Sequence, residues 1–280
     1  MYRAGNSGTD IDWSCPVNWQ HPHNFGLLAW YLFVPGAIGG PTWINMADVG
    51  RYKMGLSSSI VKQAAWRDTP VRNGGWGGLK LLTAASDHCD TSTPAVTAEP
   101  LSMSGWFRLT GVDVDQSIVT VNGLNARHTL GFLNAGDVVC ATSVTSVGGA
   151  SSATSAGVLA NVWSHGCAVF AGAADRRAYH NGGGKGTETT SRAVSGMTRT
   201  SLGVHFFGGT GTAHLNGHID SVKIWNRVLS DADVVCDFEE GKHGYPSLLN
   251  RVNRRRSRNA AVAAGGFRSR IAGGLVVTAS

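Results

Sequence analysis

The sequence predicts an all-β protein: a two-sheet antiparallel sandwich of about eleven short strands and one small helix. Three observations carry this. Glycine is abundant, with 38 residues in 280, while charged residues make up only 15%. Nine tryptophans and long Ser/Thr/Gly stretches suit short strands joined by tight turns. Turn signals also recur at fairly even spacing, and helical periodicity is confined to one segment near residue 230.

In chain order, residues 1–24 read as a polar arm carrying Trp13, Trp19 and His21-Pro22-His23, packed over the sheet by its tryptophans. Phe25 to Val34 is a continuous apolar run stopped by Pro35-Gly36, which marks a buried strand. Residues 35–75 lack sustained periodicity and read as a long connection with short elements. Trp76–Ala84 and Leu101–Leu109 have strand composition, and in the second Met103, Gly105, Phe107 and Leu109 share a face opposite Ser104, Trp106 and Arg108.

Gln116–Val121 leads into Asn122-Gly123, a hairpin signal, with Arg127–Leu133 as the returning strand. Asp137–Thr145 is the next strand, and the small polar run Gly148–Ser155 reads as a loop. Val162–Ala171 sets Trp163, His165, Cys167 and Val169 on one face, and Arg177–Asn181 pairs forward across Asn181-Gly182-Gly183-Gly184. Ser201–Phe207 and Ala213–Trp225 follow as strands. Ser230 then caps a helix with Asp233 in the capping-box position, a Val234/Val235/Phe238 stripe, and Gly241 as its end. No linker composition divides residues 25–245, so one domain accounts for them.

The net charge of +6 belongs to the tail. Residues 246–280 hold seven arginines (251, 254, 255, 256, 258, 268 and 270) and no acidic residue. Without them the chain has 17 basic against 18 acidic residues, too neutral a body to neutralise phosphates itself. Arg251, Arg254, Arg255, Arg256, Arg258, Phe267, Arg268 and Arg270 therefore form a candidate assembly arm. Its arginines, glycines and aliphatics suit strand addition to a neighbour; nucleic acid or a membrane surface could be met only through this arm.

The five cysteines (15, 89, 140, 167 and 236) lack metal-site spacing and do not suggest a disulfide framework; Cys140, Cys167 and Cys236 read as small buried hydrophobes. No apolar leader opens the chain and no run reaches membrane-spanning length.

Enzymatic motifs are absent. There is no nucleophile elbow, P-loop or HExxH spacing. Glycoside hydrolysis needs two facing carboxyl groups, yet Glu99, Glu188, Glu239 and Glu240 form no such strand pair, and Asp113-Val-Asp115 sits where a turn is expected. A non-enzymatic protein is expected.

Several segments taken together resemble laminin-G-like, concanavalin A-like jelly-roll domains. They are Gly26–Trp30, Gly77–Leu82 with Asp87–Asp90, Leu101–Phe107, Asn161–His165, Asn181-Gly182, and Ile219–Asn226 with Leu229–Asp233. The resemblance spans about residues 26–241 and implies the jelly-roll form of the sandwich. It departs from the family where an Asp-Gly pair is degraded. Some members bind calcium at the rim, for which Asp90, Asp113 and Asp115 are the candidates here. Many bind glycans through rim loops, where Trp43, Tyr52 and Trp66 could stack on sugar rings.

The opening, Asp12–Asn18, Asn24–Trp30 and Val34-Pro-Gly36, more loosely resembles laminin-G-like proteins of tailed phages and prophages. That resemblance implies a structural or decoration protein of a virion, made in the host cytoplasm and displayed on the particle as an oligomer or part of a larger assembly. A free lectin-like module is the alternative, and a glycoside hydrolase a more distant one.

Overall fold

A computed structural model describes residues 17–34, 42–45, 47, 54–56, 78–145, 148–153, 157–245 and 247–248. In chain order the strands are β1 (Leu27–Val34), β2 (Thr42–Asn45), β3 (Gly55–Leu56), β4 (Leu79–Leu81), β5 (Cys89–Thr91), β6 (Leu101–Leu109), β7 (Gln116–Asn122), β8 (Arg127–Leu133) and β9 (Val138–Thr145). They continue as β10 (Gly148–Ala153), β11 (Ser164–Gly172), β12 (Asp175–His180), β13 (Gly183–Glu188), β14 (Arg199–Leu202), β15 (His205–Phe207), β16 (Thr210–Thr212) and β17 (Gly217–Trp225). One α-helix follows, α1 (Asp231–Lys242).

All pairings are antiparallel. The first sheet runs β13-β12-β11-β6-β17-β1-β2, with β4 also on β17; the second runs β10-β9-β8-β7-β14-β5-β3; and β15-β16 form a separate ribbon. Chain neighbours are thus often sheet strangers, as in a jelly roll.

Between the sheets lies the larger core, where Met103, Phe107 and Leu109 of β6 meet Val119, Leu130 and Phe132. The expected alternation of β6 holds on this side. The opposite face of the first sheet is not open to solvent. α1 lies across it, and Trp30, Cys167, Val169, Trp225 and Val234 make a second apolar layer beneath.

The helix starts as the sequence predicts. Asp233 N–H donates to the Ser230 hydroxyl at 3.1 Å, and the Asp233 carboxylate accepts from Ser230 N–H at 2.9 Å. Its buried face differs from the expected stripe. Val235 is 46% exposed, whereas Asp237 is fully buried. Helical periodicity brings position 237 inward with 234, and the polar residue is tolerated because the sheet supplies partners. The helix also runs past Gly241 to Lys242, and the chain turns at Gly244, with φ of 72°. Gly241 is fixed by packing: a Cβ there would lie 2.5 Å from the Trp106 indole nitrogen.

Other boundaries shift for equally local reasons. Gly148–Ala153 is strand β10, paired along β9, because backbone hydrogen bonds need no large side chain. Residues 201–207 split between two sheets. Gly203, at φ of 75°, breaks the run, and a Cβ there would meet Leu81 Cδ1 at 2.2 Å. The turn after Asn122 spans 123–126, closed by Gly123 N–H to Ala126 C=O at 2.8 Å, so Asn122 stays in the strand. The turn expected across 181–184 is tighter: Asn181-Gly182, at φ of 50° and 76°, make a two-residue hairpin, and Gly183 already pairs with His180 in β13. Of the strand predicted over 76–84, the described residues form β4 and then a 3-10 turn at Thr83–Ala85; Trp76 and Gly77 lie outside the described residues.

Trp19 is 50% exposed and does not anchor the arm. Residues 17–24 are held instead by Val17, buried in the layer under α1, and by polar contacts: Asn18 N–H to Leu248 C=O at 2.7 Å, Asn24 Nδ2 to Leu248 C=O at 3.1 Å, and the buried ring of His23. Leu248, inside the stretch assigned by sequence to the basic arm, is fully buried in the layer under α1.

Candidate functional site

Register fixes which side chains face outward from the second sheet. Leu202, Val119, Leu130 and Ala141 lie in one cross-strand row and belong to the core. The adjacent row, Ser201-Thr120-Thr129-Thr142, must therefore point the other way. It forms a line of hydroxyls across four strands, with Thr120 Oγ1 donating to Thr129 Oγ1 at 3.2 Å. A second outward row, Ser117-Gly131-Cys140, runs beside it.

The β15-β16 ribbon lies over part of this face. His205 anchors it: Nδ1 is 2.8 Å from the Ser117 hydroxyl and Nε2 is 2.7 Å from the Thr212 hydroxyl. Phe206 and Phe207 sit against the guanidinium groups of Arg199 (4.2 Å) and Arg127 (5.4 Å). Burial pulls the His205 imidazole down to about 4, helped by the positive charge of Arg127, so the ring is neutral at physiological pH.

Where the ribbon stops, over β8 and β9, a pocket of about 290 Å³ remains. Its floor is Gly131, where a Cβ would come 2.9 Å from Gln116 C=O. Thr129, Thr142, Cys140, Ser117, His205, Arg127 and Asp115 line the pocket. Asp115 is the one carboxylate among the described lining residues. The volume lies just below the usual range of ligand pockets, about 300–1,000 Å³.

The other densely polar locus is closed. Under α1, the Asp237 carboxylate accepts from Lys223 Nζ (2.5 Å), His165 Nε2 (3.1 Å) and Ser104 Oγ (2.5 Å), with His23 Nε2 at 3.3 Å. Lys223 Nζ also lies over the rings of Tyr245 (3.7 Å) and Trp30 (4.2 Å). Lys223 and these neighbours hold the Asp237 carboxyl well below the usual carboxylate range despite burial. This is an internal ionic lock, fully buried.

The residues singled out in the sequence fare unevenly. Asp115 lines the pocket. Asp113 does not join it there, although both loop residues hold Asn134: Asp115 Oδ1 accepts its backbone N–H at 3.0 Å and the Asp113 carbonyl its side-chain amide at 3.1 Å. Asp90 lies elsewhere, on β5, 3.5 Å from Arg199. Its row, through Ser201, meets β7 at Thr120, about 17 Å along the strand from Asp115. The three carboxylates are not brought together, and no cluster of His, Cys, Asp and Glu suited to a metal occurs among the described residues. Trp43 sits on edge strand β2 opposite Phe33. Tyr52, Trp66 and the arm residues Arg251, Arg254, Arg255, Arg256, Arg258, Phe267, Arg268 and Arg270 lie outside the described residues. Cys89, Cys140 and Cys167 are buried; Cys236 is half-buried.

The pocket itself was missed by sequence reasoning. Its signal was the alternation Arg127, Thr129, Gly131 against His128, Leu130, Phe132, which marks a polar outer face on β8.

A laminin-G family model, described as the concanavalin A-like lectin/glucanases superfamily, matches residues 83–235. The chain belongs to this superfamily. No curated protein sequence matches it. Among solved structures, this superfamily member is similar to the binding domain of botulinum neurotoxin DC in complex with SialylT, with TM-score 0.55 and 12% identity over 78% of this chain and 52% of that one. The serotype D binding domain gives 0.54 and 13% over 77% and 51%. The chain thus spans about half the length of the neurotoxin domains it matches. Domain 4 of AbnA, a GH43 extracellular arabinanase from Geobacillus stearothermophilus in complex with arabinotriose, gives 0.50 and 16% over 75% and 97%. At such identities the likeness is one of fold. No helix among the described residues is long and apolar enough to cross a membrane.

Proposed function

We propose that this concanavalin A-like sandwich is a non-catalytic glycan-binding module whose ligand occupies the pocket over β8 and β9. The observation that carries the reading is the pocket's lining: hydroxyls, a guanidinium and one carboxylate set beside Gly131 and the apolar Phe132, Leu133 and Ala213. Such a mixture of donors and acceptors on a rigid sheet suits a ring bearing many hydroxyl groups. A single carboxylate does not suit glycoside hydrolysis, which uses two. The solved structures described with SialylT and with arabinotriose support the same reading.

The test is a glycan array probed with the full chain and with Thr142→Trp, which fills the pocket from a half-buried wall position. Binding by the parent chain, lost in the variant at unchanged melting temperature and without release of reducing sugar, supports the proposal. Failure to bind any glycan, or binding indifferent to the substitution, overturns it.

A second reading rests on the sequence alone. The seven-arginine stretch of 246–280 suits an assembly arm, and with the phage-like opening it favours a decoration protein of a virion that displays the sandwich outward. Calcium at the rim would then be an accessory. Deleting residues 249–280 is expected to leave a folded sandwich that no longer joins its particle; unchanged incorporation would refute the role.

A further inference from the structure

Arg127 is the anomaly of the pocket. It opens β8, opposite Asn122, and its outward side chain is half-buried against the β15-β16 ribbon. Its Nε is shielded from solvent and has no hydrogen-bond partner among the described residues. No carboxylate lies within ion-pair distance of it among them either. Its neighbour Arg199 has both Asp90 at 3.5 Å and the Phe206 ring at 4.2 Å, whereas among the described residues Arg127 has the Phe207 ring alone, at 5.4 Å. Burial alone draws the guanidinium below its ordinary value, with no nearby anion to offset it.

A half-buried guanidinium without an anion beside it carries a desolvation cost, and its planar fork matches a carboxylate in bidentate fashion. The charges along the groove are also ordered. Asp115 lies at the other end of β8, where its Oδ1 holds the Asn134 backbone. Leu133, beside that end, is six residues from Arg127, about 20 Å of strand. The groove is therefore cationic at one end and anionic at the other, with the Thr129 and Thr142 hydroxyls along its length. A ligand with one acid group has one favourable orientation there: the acid toward Arg127, its hydroxyls toward Asp115.

We propose that the pocket selects an acidic saccharide, a sugar ring carrying a carboxylate that Arg127 receives. This deepens, and rests on, the glycan-binding reading above. Neutral His205 beside Arg127 adds a hydrogen-bonding ring without competing charge.

The experiment compares paired saccharides with the full chain by titration calorimetry: glucuronate- and sialate-terminated oligosaccharides against their carboxyl methyl esters. The parent chain is expected to favour each acid by about tenfold or more, the scale of a charge-assisted bidentate pair. Arg127→Gln should abolish that preference while still binding the esters; Arg127→Lys, which keeps the charge but loses the fork, should retain part of it. Equal affinity of the parent chain for acid and ester, or a preference that survives Arg127→Gln, overturns the inference while leaving glycan binding intact. If neither acid nor ester nor any neutral glycan binds, the carbohydrate reading itself fails. Melting of Arg127→Gln at or above the parent temperature is expected, because the substitution removes an unpaired half-buried charge, and it excludes misfolding as the cause of lost selectivity.

Discussion

Lys223 Nζ and Asp237 Oδ1 lie 2.5 Å apart with both side chains fully buried, one on the central strand β17 and the other on α1. Their pairing fixes the helix to the outer face of the first sheet, while the outer face of the second sheet carries the pocket over β8 and β9.

Removing one partner strands the other in an apolar layer. Asp237→Ala is expected to destabilise the fold by about 3–5 kcal/mol, while a double replacement, Lys223→Met with Asp237→Leu, should recover most of the loss. Urea unfolding of the two singles and the double closes the cycle; additive losses would show that the pair is not coupled.

The helix start gives a smaller effect. Ser230→Ala removes the hydroxyl that accepts from Asp233 N–H and should cost about 1 kcal/mol, read as a lower urea midpoint at unchanged m-value.

Gly241→Ala puts a methyl 2.5 Å from the Trp106 indole nitrogen. Although alanine favours helix, the clash should dominate and cost about 1–3 kcal/mol. A stabilised variant would mean that Trp106, stacked on Phe238 at 5.6 Å, can move aside.

Acid should weaken the protein in two stages. His128 is buried, 3.0 Å from the Ser143 hydroxyl, and burial with the charge of Arg176 lowers it to about 3. Glu99, 3.4 Å away, is itself pushed up by burial, and with the His128 ring neutral the contact is not a salt bridge at physiological pH. Because the folded His128 binds its proton far less readily than the unfolded one, its contribution is complete above about pH 6.5 and is lost as pH falls toward 3. His205 and His218, both lowered to about 4, act in the same direction. Asp237, also lowered, adds stability above about pH 4 that disappears in stronger acid. Melting temperature should therefore fall from pH 6.5 downward, and His128→Leu should flatten the upper part of that slope.

Much of this molecule was legible in the chain alone. Alternation on β6, the Asn181-Gly182 turn and the Ser230/Asp233 box are local, so propensity and spacing were enough to predict them. Glycine-rich β10 was hidden because its ladder is made by the backbone. The break at Gly203 was hidden because its cause is Leu81, more than a hundred residues away in sequence.

The sequence by itself determined the sandwich, the capped helix and the concentration of basic charge in residues 246–280, since each follows from composition or from neighbours a few residues apart. Only the tertiary structure decided which polar residues are lock and which are site. Asp237, His165 and His23 read as surface or strand residues until α1 folds them onto Lys223. Arg127, Thr129, Thr142 and Asp115 become one groove only when β7, β8 and β9 are in register. Both outcomes depend on pairings between distant segments, and one sequence does not display those.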